Sequence, residues 1–189
     1  MNGANEIKIC KMQTTIPRSM QESIVQKLKD NFGQPAKLDQ MYTKYRHQKR
    51  LMVTMTIDEP AAQTTQTHTI TTLGEIQHNP SNVLIQQAVV SQTSGDAHDF
   101  ANYLGFKPGH TWIEKGNLFT QDAVKIKIFD VYNFNGELID EENIVVSIEI
   151  ISQITTAQID NACKRVSDIY RNLFANRQAF VPEKQLLRA

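Results

Sequence analysis

Five histidines, two cysteines and two short charge clusters are the residues of this chain with the strongest claim to chemistry, and their spacing argues against most of it. His47, His68, His78, His98 and His110 show neither the HxH nor the HExxH spacing that brings two imidazoles to one metal ion, and no cysteine stands at zinc-site distance from them. The GxGxxG turn, the GKS or GKT phosphate loop and the GxSxG nucleophile elbow are all absent. No cofactor, metal or catalytic residue is therefore assigned. Cys10 falls in a strand pattern and Cys163 in a helix pattern. With no CxxC and no secretory leader ahead of them, they read as reduced core thiols.

The charge clusters have bland readings. Lys44-Tyr45-Arg46-His47-Gln48-Lys49-Arg50 is the one basic cluster and straddles a turn between strands, where a solvated hairpin tip is the default and a patch for nucleic acid or an acidic partner is the alternative. Asp140, Glu141 and Glu142 are adjacent residues beside a hairpin; their side chains point to different sides, as in a solvated turn. A chain of 189 residues with zero formal net charge is not a nucleic-acid binder by bulk charge, and no sequence-specific nucleic acid is expected as a partner. Its 40% hydrophobic content suits one domain with a proper core, read as a single domain over residues 1–189. No apolar run approaches the roughly 18 residues of a membrane span, so no membrane partner is expected.

The elements that must position any site are legible to different degrees. Glu6 to Met12 alternates like a strand, and Pro17 opens a helix with Ser19 and Glu22 at capping-box spacing. Its stripe is Met20, Ile24, Leu28 and Phe32, stopped by Gly33 and Pro35. Strand-like stretches follow at 41–46, 51–57, 67–73 and 83–90, with turns at Asp58-Glu59-Pro60 and Gln77-His78-Asn79-Pro80. Asn135-Gly136 is the strongest hairpin signal, and 143–151 is a strand with apolar 144, 146, 148 and 150 on one face. A last helix, capped by Thr156, carries Ile159, Cys163, Val166, Tyr170 and Leu173 in one stripe. About eight strands with three helices argue a mostly antiparallel α+β fold, and strands of this length can close into a barrel.

The stretch from Asp96 to Phe134 is the best marked. Asp96 is an N-cap, Ala97, Phe100, Ala101 and Leu104 follow helical spacing, and Gly105 sits where a left-handed residue belongs. Phe106 to His110 reads as a turn, and Thr111 to Phe119 as a strand in which Gly116 marks a bulge or a close backbone approach. Trp112 is expected in the core with its indole N–H on a carbonyl, and His110 on the turn backbone.

The order Leu104-Gly105-Phe106, His110, Glu114-Lys115-Gly116, Leu118-Phe119 and the strand Val124 to Phe129 resembles subunit 18 of the Mediator complex, the RNA polymerase II coactivator. The resemblance implies a β-barrel of about eight strands similar to the tunnel of RNA 5′-triphosphatases, with helices outside. It implies a nuclear, non-catalytic scaffold of the head module in transcription regulation, with protein-protein contacts to subunit 20 and to a C-terminal helix of subunit 8, and with the RNA polymerase II machinery nearby. Lys115 and Gly116 become partner-binding candidates because the resemblance covers them. The alternative is a metal-dependent tunnel-type phosphohydrolase, which needs glutamates on inward alternate strand positions. The expected Glu-x-Glu is absent: Glu6 is followed by Lys8, and the strand at 143–151 offers Glu149 alone.

One strand yields an expectation without the resemblance. Along Val124 to Phe134 the even positions are apolar except Asp130, whereas the odd positions change from Lys125 and Lys127 to Phe129 and Val131. The second half of that odd face requires a register-flipping bulge or a cover. An intrachain helix is the plain cover. A partner segment is the sharper one, which makes Phe129 and Val131 partner-binding candidates.

Overall fold

The computed structural model describes residues 5–47, 50–57, 67–78, 81–94, 96–152 and 156–174. Eight strands, β1 (Asn5–Pro17), β2 (Ala36–His47), β3 (Arg50–Ile57), β4 (Thr67–His78), β5 (Leu84–Ser94), β6 (Lys107–Gln121), β7 (Val124–Asn133) and β8 (Asn143–Ser152), close into a barrel in the order β1-β5-β4-β3-β2-β6-β7-β8. All neighbours are antiparallel, and β1 seals the ring against β8, with Lys8 opposite Ser152 and Pro17 opposite Asn143. Three helices, α1 (Gln21–Phe32), α2 (Ala97–Tyr103) and α3 (Thr156–Leu173), lie outside it.

Because successive strand side chains alternate faces, the barrel has an outer and an inner set of residues. Cys10, Met12 and Ile16 of β1, Val124, Ile126 and Ile128 of β7, and Ile144, Val146, Ile148 and Ile150 of β8 share one buried cluster with Ile24 and Leu28 of α1 and Ile159, Cys163, Val166 and Tyr170 of α3. The main core is thus the layer between barrel wall and helices, and each fully buried aliphatic side chain in it contributes roughly 1.5–3 kcal/mol. A smaller cluster under α2 joins Tyr45, Ile70, Ala97 and Ala101, with Phe106 against it.

Local signals decide most element ends. The Asp96 side chain accepts from the backbone N–H groups of His98 and Asp99, and Gly33 and Gly105, both at φ +80, end the helices before them. The Asn135-Gly136 turn forms, with Gly136 at φ +83 and a bridge between Tyr132 and Leu138, but β8 starts only at Asn143. The β6–β7 hairpin turns through Asp122 at φ +53, a left-handed conformation that aspartate tolerates.

Two expectations are corrected. The Ser19/Glu22 capping box does not form: a single 3₁₀ turn, Arg18–Met20, precedes α1, whose N-cap is Met20 with no side-chain cap bond. Tertiary contacts fix this corner instead, since the Arg18 N–H donates to Glu142 O and the guanidinium binds Asp130 (2.7 Å) and the carbonyls of Asp140 and Glu141. Lys107 to His110 is strand rather than turn; Pro108 is tolerated there because the β2–β6 register shifts between Thr43 and Tyr45. The expected turn at Asp58-Glu59-Pro60, residues 79 and 80, and residues 48 and 49 of the basic cluster lie outside the described residues.

Candidate functional site

The inner wall holds a concentration of largely buried charge, and its members come from five strands. Lys127 of β7 lies 3.3 Å from Glu114 of β6 and donates to the Tyr42 hydroxyl of β2 at 3.0 Å. Lys11 of β1 lies 3.2 Å from Glu149 of β8, to which Ser147 also donates at 3.0 Å. Tyr42 donates to Gln40 at 2.6 Å, and the Trp112 indole N–H donates to Glu114 at 3.2 Å, not to a carbonyl. Trp112 stacks between His110 and Tyr42, with ring centroids 5.9 and 5.3 Å apart.

Burial alone would push the Glu149 carboxyl up, but Lys127, Lys11 and Ser147 hold it down to about 2. Burial alone would lower the Lys127 ammonium, but Glu149 and Glu114 leave it raised. The Tyr42 hydroxyl is raised, first by burial and then by Glu114. Each inward carboxylate thus faces a lysine and accepts a further hydrogen bond. Among the described residues no group of three His, Cys, Asp or Glu side chains is placed to hold a metal ion.

Sequence reasoning assigned β1 differently. Lys8 shares the parity of Cys10 and Met12, which face the outer core, so the inward cation is Lys11. Glu149 is inward as expected, but its neighbours Lys11, Tyr42, Glu114 and Lys127 were not singled out as a set. Lys127 carried a signal in the alternation of its strand; Glu114 and Tyr42 carried none until the register of β2, β6 and β7 placed them side by side.

The four partner-binding candidates separate. Lys115 is exposed on the outer wall, its ammonium 5.3 Å from the centre of the Tyr132 ring, in register with Asp39 on one side and Asp130 on the other. Gly116 is paired without a register break on both sides, so it marks a close approach, not a bulge. Phe129 is 3% exposed and packs with Leu38, Val145, Leu118 and half-buried Val131 inside the barrel. The exposed apolar patch expected at Phe129 and Val131 is therefore not present in the free chain. Closure of the sheet turns the charged-to-apolar face inward, so Lys127 meets Glu114 and Phe129 meets Leu38 in one lumen.

The described part of the basic cluster, Lys44 to His47, is the end of β2. Arg46 is exposed, and the His47 ring nitrogen Nδ1 donates to Gly105 O at 2.7 Å while its ring packs on Phe106. Asp140 accepts from the N–H groups of Glu142 and Asn143, which, against the opposing effect of burial, holds its carboxyl low. No helix among the described residues is long and apolar enough to cross a membrane.

The family model described as Med18 protein matches residues 3–159, most of the chain. The chain belongs to the Med18 family. That membership gives it the role of a Mediator subunit in transcription regulation, and the earlier resemblance to Mediator subunit 18 rested on residues within the matched region. Solved structures agree on the Med18-type fold. A chain of the Schizosaccharomyces pombe Mediator head module aligns at TM-score 0.71 and 12% identity, covering 89% of this chain and 95% of that one. Two Pyrococcus horikoshii OT3 proteins share the fold: PH1819 at TM-score 0.61 and 13% identity, covering 89% and 90%, and PH1012 at 0.59 and 14%, covering 92% and 95%. No curated protein sequence matches the Med18-family chain at significant similarity.

Proposed function

We propose that this Med18-family chain is a non-catalytic scaffold of the Mediator head module, acting in the nucleus by holding partner subunits in the neighbourhood of the RNA polymerase II machinery. The family match over residues 3–159 carries the reading. The inner wall supports the non-catalytic part: a tunnel-type phosphohydrolase needs unpaired inward carboxylates for its metal, whereas Glu114 and Glu149 are each spent on a lysine. The partners are subunit 20 and a C-terminal helix of subunit 8, the latter by helix-in-groove recognition. Lys115 is the candidate best placed to touch a partner directly, being exposed on the outer wall. Gly116, Phe129 and Val131 act behind it, setting the shape of the wall that Lys115 stands on.

Affinity purification from native nuclear extract, followed by mass spectrometry, tests the assembly. Recovery of subunits 8 and 20 is expected, and their consistent absence would overturn the partner assignment. Release of γ-phosphate from triphosphate-ended RNA with magnesium or manganese tests the chemistry. Metal-dependent turnover abolished by Glu149→Ala would overturn the non-catalytic reading.

A further inference from the structure

Cys10 and Cys163 are brought together by the fold, from the first strand and the last described helix. Their sulfurs lie 3.6 Å apart, and both side chains are buried in the layer where α3 sits on the barrel. Both are free thiols. Neither takes part in the inner-wall network, and neither contributes to the family's role as argued above. We propose that Cys10 and Cys163 form a dithiol that closes to a disulfide when the chain meets a peroxide or a small-molecule disulfide, riveting α3 to β1.

The geometry asks little of the protein. A disulfide needs its sulfurs at about 2 Å, and the two buried thiols already face each other at 3.6 Å, so the bond requires only that this gap close. In the reaction both S–H bonds break and one S–S bond forms. Two electrons and two protons pass to the oxidant, hydrogen peroxide leaving as two waters and a small disulfide as two thiols. Burial pushes the Cys10 thiol up to about 12, with the neighbouring Cys163 adding to the shift, and Cys163 is raised by burial as well. Thiolate is therefore scarce while α3 is docked, and oxidation proceeds through moments when the helix lifts. The reaction then fixes the docked state. The bond links residues far apart in the chain, so it removes a large part of the unfolded chain's freedom.

The test uses the full chain and diamide, a diazene that takes up two electrons and two protons. The treated protein is read by intact mass under non-reducing conditions, by thiol titration in denaturant, and by thermal melting. Expected are a mass lower by two hydrogens, loss of both thiols without chain dimers, and a melting temperature higher by roughly 5–15 °C, the size a long-loop disulfide gives. Dithiothreitol should reverse all three. Diamide-treated Cys163→Ala, compared with the same variant untreated, should show no rise. Retention of both thiols, intermolecular dimers in place of the internal bond, or an internal bond without a rise in melting temperature would each overturn the proposal.

Discussion

Gly116 of β6 stands directly opposite Phe129 of β7, and a Cβ placed on Gly116 would come within 2.8 Å of the Phe129 Cα and closer still to the Ile128 carbonyl oxygen. These are backbone atoms, so no side-chain rotation relieves the clash. Gly116→Ala should cost about 3 kcal/mol, at the upper end of overpacking costs. Gly136→Ala is the control: Gly136 is at φ +83 with nothing within 4 Å, and its cost should be that of a left-handed alanine, about 1 kcal/mol. Urea denaturation of both variants checks the order; equal losses would remove the close-approach account.

The Glu149 carboxylate should make the barrel acid-sensitive over a defined range. Its folded pKa, about 2, lies below the ordinary value of 4.5. A depressed acid stabilises the fold above its unfolded pKa and loses that stabilisation as pH falls through the folded one. The contribution is on the order of 3 kcal/mol at neutral pH and fades between about pH 4.5 and 2. Glu149→Gln should therefore be strongly destabilised at neutral pH, with Lys11 and Lys127 left less well paired, and its deficit against the natural chain should shrink as the buffer is made acid. A deficit that stays constant from about pH 7 to pH 3 would show that the charge is not the cause.

Val166 is fully buried beneath α3, between the helix and the strands. Val166→Asp forces an unpaired carboxylate into that layer and should cost upwards of about 4 kcal/mol, enough to unfold the chain or collapse its yield. An unchanged melting temperature combined with loss of a partner would mean that the stripe is an interface.

Asp96 holds the first turn of α2 through two backbone N–H groups. Asp96→Ala should cost about 1 kcal/mol and speed hydrogen exchange in α2, while Asp96→Asn, which caps as well, should behave like the natural residue. Equal effects of the two substitutions would point to the charge of Asp96 rather than to the cap.

The physical basis of each signal explains what the sequence revealed. Helix stripes and stops are local, so Ile24, Leu28, Val166 and the caps at Asp96, Gly33 and Gly105 could be read directly. Strand parity could be read too, which is why the change from Lys127 to Phe129 was visible as a face needing cover. What covers it depends on the ring of pairings from β1 around to β8, and no local pattern encodes closure. The same limit hid the inner wall: Lys127, Glu114 and Tyr42 are far apart in sequence and meet only through the β2–β6 and β6–β7 registers. The Ser19/Glu22 pattern failed for a related reason: Arg18 docks on Asp130 of β7 and on the β7–β8 connection, and the chain enters α1 through a 3₁₀ turn in place of the local cap.

The seam between β1 and β8 also bears on how the chain is made. Synthesis supplies β1 well before the partner that seals it, from Asn143 to Ser152, and before the helix that covers it. Until then β1 has only β5 to pair with on one side, and its Cys10–Met12–Ile16 face has no α3 to cover it. Until β8 and α3 emerge, a nascent chain of this type carries an open sheet edge and a bare apolar face. Late-closing, long-range pairings of this kind fold slowly and expose the chain to aggregation meanwhile. The seam makes β8 and α3 the timing element of the chain's folding, and a product stalled before them the form most in need of a chaperone.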